Sequence, residues 1–298
     1  MKRPIEWVTS TPGLKRMTRY RVRGKRLILG YHGIIPTGEP PAGERTLFIT
    51  QRDFAMQLDI LASEADVVPL DRIDEDGDGR PRIAITFDDA YAGAVVQGVE
   101  ELARRGLAAT FFVVPGRLNG HVFWWDALAH GAERLNPNVR EYALRELEGS
   151  DEKVRTWAAD EALSVHSAIP AYARTATLSQ LHSAIRTRGI TVGSHTWSHP
   201  NLASLGEREL VAEITQSRDW LKAEFGHKAL NWLAYPYGID SSRVRQAVAD
   251  ASYAGALRID GGWHRPAEVS RYARPRLSIG SGFRLPGLRS RINGVRLT

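Results

Sequence analysis

Residues 83–91 read Ile-Ala-Ile-Thr-Phe-Asp-Asp-Ala-Tyr. The first five form a short apolar, β-branched run, the pattern of a strand covered on both faces in a parallel sheet. Two acids follow where such a strand must turn. Side chains alternate in direction along a strand, but a chain that turns after Phe87 can bring Asp88 and Asp89 into one pocket. Carboxylates so close need a cation or a shared proton. Taken alone, the pair also fits a solvated loop or a helix cap.

Similar runs lie on either side, at 27–31 (LILGY), 66–70 (DVVPL), 109–114 (ATFFVV), 190–194 (ITVGS), 232–235 (WLAY) and 254–257, with 276–279 to close the set. Helical periodicity fills intervals at 54–63, 94–105, 178–188, 207–225 and 241–251. This alternation predicts βα units around a parallel sheet. Capping boxes at Thr177/Gln180 and Ser204/Glu207 mark two helix starts, and Gly106, Gly189 and Gly226 stand where helices should stop. Residues 117–176 break the rhythm with a long, polar, mostly helical stretch containing Phe123-Trp124-Trp125-Asp126. This stretch reads as an insertion over one end of the sheet. It is either a lid with aromatic platforms for sugar rings or a cap whose tryptophans pack inward.

The chain has 298 residues, 43% hydrophobic and 25% charged, proportions of one large soluble domain. It contains no cysteine. That excludes disulfides, thiolate ligands and a cysteine nucleophile, and leaves a metal to His and carboxylate. The net charge is +6. Basic residues gather at the ends: Lys15, Arg16, Arg19, Arg21, Arg23, Lys25 and Arg26, then Arg284, Arg289, Arg291 and Arg296. They read as solvated tails or as contacts to an anionic membrane surface, a lipid-linked substrate or an acidic glycan. Nucleic acid is not expected, because no recognition motif accompanies the charge. No stretch approaches the ~20 apolar residues that span a bilayer, and the basic start lacks an apolar run of signal-peptide length. A cytoplasmic protein, peripheral to a membrane at most, is the expectation.

Two further motifs follow strands, where βα barrels place their chemistry. His195-Thr196-Trp197-Ser198-His199 would set two imidazoles on one face of a helical turn, able to share one metal. In Ala234-Tyr235-Pro236-Tyr237-Gly238, the proline and glycine permit a tight turn that can aim a backbone N–H at an oxyanion.

In order and spacing the three motifs resemble those of the polysaccharide deacetylase family (carbohydrate esterase family 4). ITFDDAY resembles the first motif, TFDDG, with Ala90 where glycine is usual. SHTWSHPNL resembles the second, H-[ST]-x-x-H, and LAYPYG a variant of the third. The likeness runs from Leu27 to Ile279 and takes in ATFFVV and TLSQLHSAIRTRGITVGSH. It implies an α/β fold, a distorted (β/α)7 barrel over 27–283 with the helical insertion at 117–176. A basic segment at 1–26 and a basic tail at 284–298 would flank it.

The resemblance also implies one divalent metal ion, usually Zn2+ with Co2+ or Ni2+ as alternatives, held by Asp89, His195 and His199. Asp88 would be the general base, and the N–H of Tyr237 would face the oxyanion. The chain departs from the commoner pattern at Ala234, where the family usually carries an arginine that orients the base. Arg276, in Arg274-Pro275-Arg276, resembles a late arginine of the same variant branch and is the candidate to pair with Asp88. The late Leu-x-His that usually supplies the acid is not evident. Some relatives place a histidine on the first strand instead, which makes His32, in Gly30-Tyr31-His32-Gly33, the candidate acid, with His264 as the alternative. The implied reaction removes an N-acetyl group from a hexosamine in an oligosaccharide, a polysaccharide or a lipid- or nucleotide-linked precursor. Two other readings stay open: an amidohydrolase of a small non-sugar amide or cyclic imide, and a carbohydrate-binding barrel with an inactive site.

Overall fold

The computed structural model describes residues 22–77, 80–129, 134–166 and 168–294. The strands are β1 (Arg26–Tyr31), β2 (Gly33–Ile35), β3 (Phe48–Thr50), β4 (Asp66–Val67), β5 (Arg82–Phe87), β6 (Ala109–Val113), β7 (Ile190–Ser194), β8 (Ala229–Ala234), β9 (Gly255–Leu257) and β10 (Leu277–Ser278). Seven of them run parallel in the order β10-β1-β5-β6-β7-β8-β9, with β4 added beside β5 and β2–β3 as a separate pair. Leu257 of β9 bridges Arg274 in parallel, three residues before β10. The two edges of the curled sheet therefore meet, giving the distorted (β/α)7 barrel expected.

Alternation along the strands sorts the two faces. Leu27, Leu29 and Tyr31 of β1, Ile83, Ile85 and Phe87 of β5, and Phe111 and Val113 of β6 join one apolar cluster with Phe54, Leu58 and Leu61 of helix α1 (Gln51–Glu64). The intervening residues Ile28, Ala84 and Phe112 belong to a different cluster with Trp232 and Ala234. Continued towards the strand ends, this second series reaches Gly30 and His32, Thr86 and Asp88, and Gly193 and His195. The period that builds the core thus delivers the polar residues to one mouth of the barrel.

The other helices are α2 (Val99–Arg105), α3 (Trp124–Leu128), α4 (Pro137–Arg145), α5 (Asp151–Asp160), α6 (Leu178–Ile185), α7 (Glu207–Phe225), α8 (Ser242–Asp250) and α9 (Leu285–Ile292). Thr177 and Gln180 form the expected capping box at α6. Three expectations are corrected. The helix expected over 94–105 begins with a π-helical stretch, Ala94–Gly98, and turns α-helical only at Val99. The wide turn falls beside Gly93, where a Cβ would lie 2.1 Å from the Ile34 carbonyl oxygen. The start of α7 is capped at Gly206, whose N–H donates to Glu209 at 3.3 Å, whereas Ser204 accepts from Asn201. The C-terminal residues expected as a solvated tail fold as α9, because Leu288 and Ile292 drop into the main core and Arg289 pairs with Glu64.

Arg26, counted above with a basic end, is a buried strand residue donating to the carbonyls of Asp74 and Glu75. Lys15, Arg16, Arg19, Arg21 and Arg296 lie outside the described residues. Among the described residues no helix is long and apolar enough to cross a membrane. Within the insertion, Phe123, Trp124 and Trp125 are buried. The aromatic run therefore packs inward.

Candidate metal centre and active site

After β5 the chain reverses sharply, with Asp89 and Ala90 both left-handed at φ 66° and 51°. This reversal overrides strand alternation and turns two consecutive carboxylates into one pocket. Nine non-glycine residues with positive φ occur among the described residues, and five of them, Asp89, Ala90, Thr196, His199 and Tyr237, lie in the three motifs. Such backbone costs of order 1 kcal/mol per residue, and its clustering marks a place where geometry is held against local preference.

The His195–His199 segment is not the helical turn expected. Thr196 and His199 are left-handed at φ 66° and 67°, so the chain coils as a loop. Glu213 of α7 shapes that loop. Its carboxylate accepts the N–H groups of Trp197 and Ser198 at 2.9 and 2.8 Å and the Ser198 hydroxyl at 2.6 Å. The two imidazoles still converge, with Nε2 atoms 3.2 Å apart. Asp89 Oδ1 lies 3.6 Å from His195 Nε2 and 3.5 Å from His199 Nε2.

Two donors bound to one zinc at about 2.0–2.1 Å in a tetrahedron stand about 3.4 Å apart. The three separations match that edge. Asp89 Oδ1 is buried and has no hydrogen-bond partner, a costly state for a carboxylate that no cation balances. Burial, then the charge of Asp88, pushes the Asp89 carboxyl well above the usual range. Burial pushes both imidazoles down, towards the neutral form that binds metals. His195 donates Nδ1–H to Ala234 O at 2.7 Å, which frees its Nε2 lone pair for the pocket. Asp89, His195 and His199 thus form a buried group that could hold a metal ion.

Asp88 is held differently. Arg276, fully buried, donates to Asp88 Oδ1 and Oδ2 at 2.7 Å each and to Thr86 Oγ1 at 3.2 Å. Its guanidinium also lies 5.7 Å from the Phe112 ring centre. A Cβ on Gly30 would sit 3.6 Å from Arg276 Nη1, so the small residue on β1 leaves the arginine its path. Burial raises the Asp88 carboxyl, but the charges of Arg276 and His195 and the hydrogen bonds from Arg276 outweigh it and hold the group well below the usual range. His32 Nε2 lies 3.9 Å from Asp88 Oδ2. Burial lowers His32 to about 4 despite the pull of Asp88, with Arg276, His195 and Arg140 adding to the lowering.

Tyr237 is left-handed at φ 59°. Its phenol, kept neutral chiefly by burial, donates to Gly149 O at 2.8 Å and accepts from Trp124 Nε1 at 3.1 Å. The alternative acid, His264, pairs through its backbone with Arg26, at the opposite end of β1 from His32, and stands outside the site. The structure therefore gathers Asp88, Asp89, His195, His199, Arg276 and His32, with Tyr237 against His199. Glu213, which the sequence does not single out, and a Trp125–Tyr91–Asp126 chain, of which the sequence marks only the aromatic run, support it.

The polysaccharide deacetylase family model matches residues 75–256. That span carries both aspartates, both histidines and Tyr237, while His32 and Arg276 lie outside it. Chitin deacetylase 1 of Saccharomyces cerevisiae is 38% identical over 68 residues, 23% of this chain and 22% of the relative. Chitin deacetylase 2 of the same organism is 32% identical over 65 residues, 22% and 20% of the two chains. The match spans about a fifth of these relatives' length. The structure of Streptococcus pyogenes deacetylase PplD in complex with acetate superposes with a TM-score of 0.64 at 18% identity, covering 90% of this chain and 98% of that one. IcaB from Ammonifex degensii gives 0.62 at 17% identity, covering 90% and 97%. At these identities the structural likeness is one of fold. With more than half of its length matched by the family model and the motifs gathered at one barrel mouth, the chain belongs to the polysaccharide deacetylase family.

Proposed function

We propose that this protein hydrolyses the N-acetyl group of an amino sugar within a glycan, using one divalent ion held by Asp89, His195 and His199. The observation that carries the reading is a geometry: three buried ligand atoms at tetrahedral spacing beside an aspartate clamped by a buried arginine. Zinc is the metal that the spacing and the nitrogen-rich donor set favour. When bound, such an ion would lower the pKa of a water molecule and polarise the acetamide carbonyl.

The chain's own groups complete the reaction. Asp88 is ionised across the working pH range and oriented by Arg276, so it is positioned to take the proton of the attacking water. A carboxylate held so low is a weak base by itself. Its task therefore suits a water already acidified. Neutral His32, 3.9 Å away, can receive that proton from Asp88 and pass it through Nε2 to the departing amine. The proton lost by water thus ends on the sugar nitrogen, and the acetyl group leaves as acetic acid, which ionises to acetate by giving its proton to the amine or to solvent. The backbone N–H of Tyr237 is the proposed donor to the oxyanion. The names of the relatives, chitin deacetylases, and the acetate in the PplD structure support this substrate class.

The test is acetate release from N-acetylglucosamine oligomers by metal-loaded protein. Release that disappears in Asp88→Asn and His195→Ala is expected. Metal binding without release from any acetylated sugar would move the assignment to another amide.

A further inference from the structure

The two imidazoles of the centre are fixed by different means. His195 has its outer nitrogen bound to Ala234 O. The outer nitrogen of His199, Nδ1, is buried and has no hydrogen-bond partner. A metal-bound imidazole ordinarily has such a partner, which sets its orientation. Around His199 stand three rings instead: Tyr237 at 4.6 Å, Trp125 at 5.0 Å and Phe123 at 5.7 Å between ring centres. Phe123 and Trp125 both come from the helical insertion and are stacked on each other at 4.4 Å and 8°.

Trp125 is anchored in turn. Its Nε1–H donates to the Tyr91 hydroxyl at 2.9 Å, and Tyr91 donates to Asp126 Oδ2 at 2.6 Å. Indole can only donate, so the tyrosine oxygen accepts from Trp125 and its own proton is free for the carboxyl. Asp126 Oδ1 accepts the Glu44 N–H at 2.8 Å. Asp126 is wholly buried, and a Cβ on Gly43 would lie 2.4 Å from its Oδ1, so the glycine leaves the carboxyl its place.

We propose that Trp125, braced through Tyr91 by Asp126, is a positioning residue for His199, so that the insertion completes the metal centre by packing where a hydrogen bond is absent. This rests on the metal-site reading above. Rotation of the His199 ring would carry its Nε2 lone pair away from the point shared with Asp89 and His195. The indole face blocks that rotation, and its bond to Tyr91 helps hold it in place.

The test is Zn2+ affinity of the full chain, measured by chelator competition, for the parent, Trp125→Ala, Trp125→Phe, Tyr91→Phe, His195→Ala and a control, Trp157→Leu. Trp157 also belongs to the insertion but packs on Tyr142. Trp125→Ala is expected to weaken zinc binding about 10- to 100-fold. Tyr91→Phe and Trp125→Phe, which each keep a ring but lose the bond between them, should weaken it less, and Trp157→Leu should leave it unchanged. The visible spectrum of the Co2+-saturated protein should shift in Trp125→Ala, which loss of global stability alone would not produce. Parent-like zinc affinity in a folded Trp125→Ala, or an equal loss in Trp157→Leu, overturns the inference. If Trp125→Ala does not fold, an unchanged affinity in Tyr91→Phe overturns it. A parent that binds no zinc overturns the metal-site reading as well. A parent whose zinc is lost in His195→Ala but kept in Trp125→Ala overturns this inference alone.

Discussion

At the scale of single residues, the site is a set of local conflicts that the surrounding fold resolves. Arg276 and Asp88 are both buried, and each is tolerable only because of the other. Breaking such a pair leaves an uncompensated charge, worth about 3–5 kcal/mol. Arg276→Ala should destabilise by that order in chemical denaturation. Arg276→Lys keeps the charge but loses the fork. For this variant kcat is expected to fall at least tenfold with little change in KM, because the arginine orients the base and not the sugar. The acid limb of kcat/KM should also move to higher pH, since the Asp88 carboxyl is no longer held as far below its usual range. A parent-like pH profile in Arg276→Lys would remove the orienting role. Ala90 presents a smaller conflict. At φ 51° its Cβ is strained, and glycine there relieves about 1 kcal/mol, partly offset by a freer unfolded chain. Ala90→Gly should therefore raise the melting temperature by about 1–3 °C while leaving acetate release intact. A lower melting temperature would show that the buried methyl matters more than the strain.

At the scale of elements, what the sequence made legible follows from how local each cause is. Strands β1, β5, β6 and β7 were readable because apolar, β-branched runs are enough to specify a doubly covered strand. The three motifs were readable because each follows such a run. In helix α9 the arginines give the segment the composition of a solvated tail, while Leu285, Leu288 and Ile292 carry an i, i+3, i+7 stripe that specifies a docked helix. The reversal after β5 and the left-handed loop at His195–His199 were not readable, since nothing local prefers them. They exist because distant elements hold them. Glu213 shows how. It is one acid on an amphipathic helix, and only the docking of α7 against the loop gives its carboxylate three donors. Glu213→Ala should cost about 1 kcal/mol, by leaving half-buried donors without their carboxylate partner. It should also weaken zinc binding by at least about tenfold, because the loop that aims both imidazoles relaxes. Paired denaturation and zinc titration check this. Loss of stability with unchanged zinc affinity would mean that the loop keeps its shape unaided.

At the scale of the whole molecule, the barrel brings together groups whose protonation preferences oppose one another, and stability should record it. Asp126 is raised to about 7, chiefly by burial, with Tyr91 and Glu44 hydrogen bonds pulling the other way. Its unfolded value is about 3.9. Between these values the folded state keeps a proton that the unfolded chain releases, so its contribution to stability falls as pH rises from about 4 to about 7. His32 has the opposite sign. It is lowered to about 4 from about 6.5, so the unfolded chain binds a proton that the folded state refuses, and stability falls as pH drops through that window. In chelator-treated protein, the melting temperature of Asp126→Asn relative to the parent should climb from pH 4.5 to 7.5. That of His32→Gln relative to the parent should climb in the other direction. Parallel slopes would contradict one of the two assignments, and a reversal of both slopes would contradict both. Zinc adds a third, independent coupling, because an ion bound only by the folded state stabilises it by about 2.7 kcal/mol at a hundredfold excess over its Kd. Its ligands must be ionised Asp89 and neutral His195 and His199; burial already favours the neutral imidazoles but holds a proton on Asp89, so binding releases that proton and the zinc-induced rise in melting temperature should shrink as pH falls. The rise should vanish in His195→Ala at every pH and survive in Asp88→Asn, whose carboxyl lies beside the ligand triangle but outside it. If Asp88→Asn abolishes the rise while His195→Ala retains it, the roles of the two aspartates are exchanged and the centre must be rebuilt around Asp88.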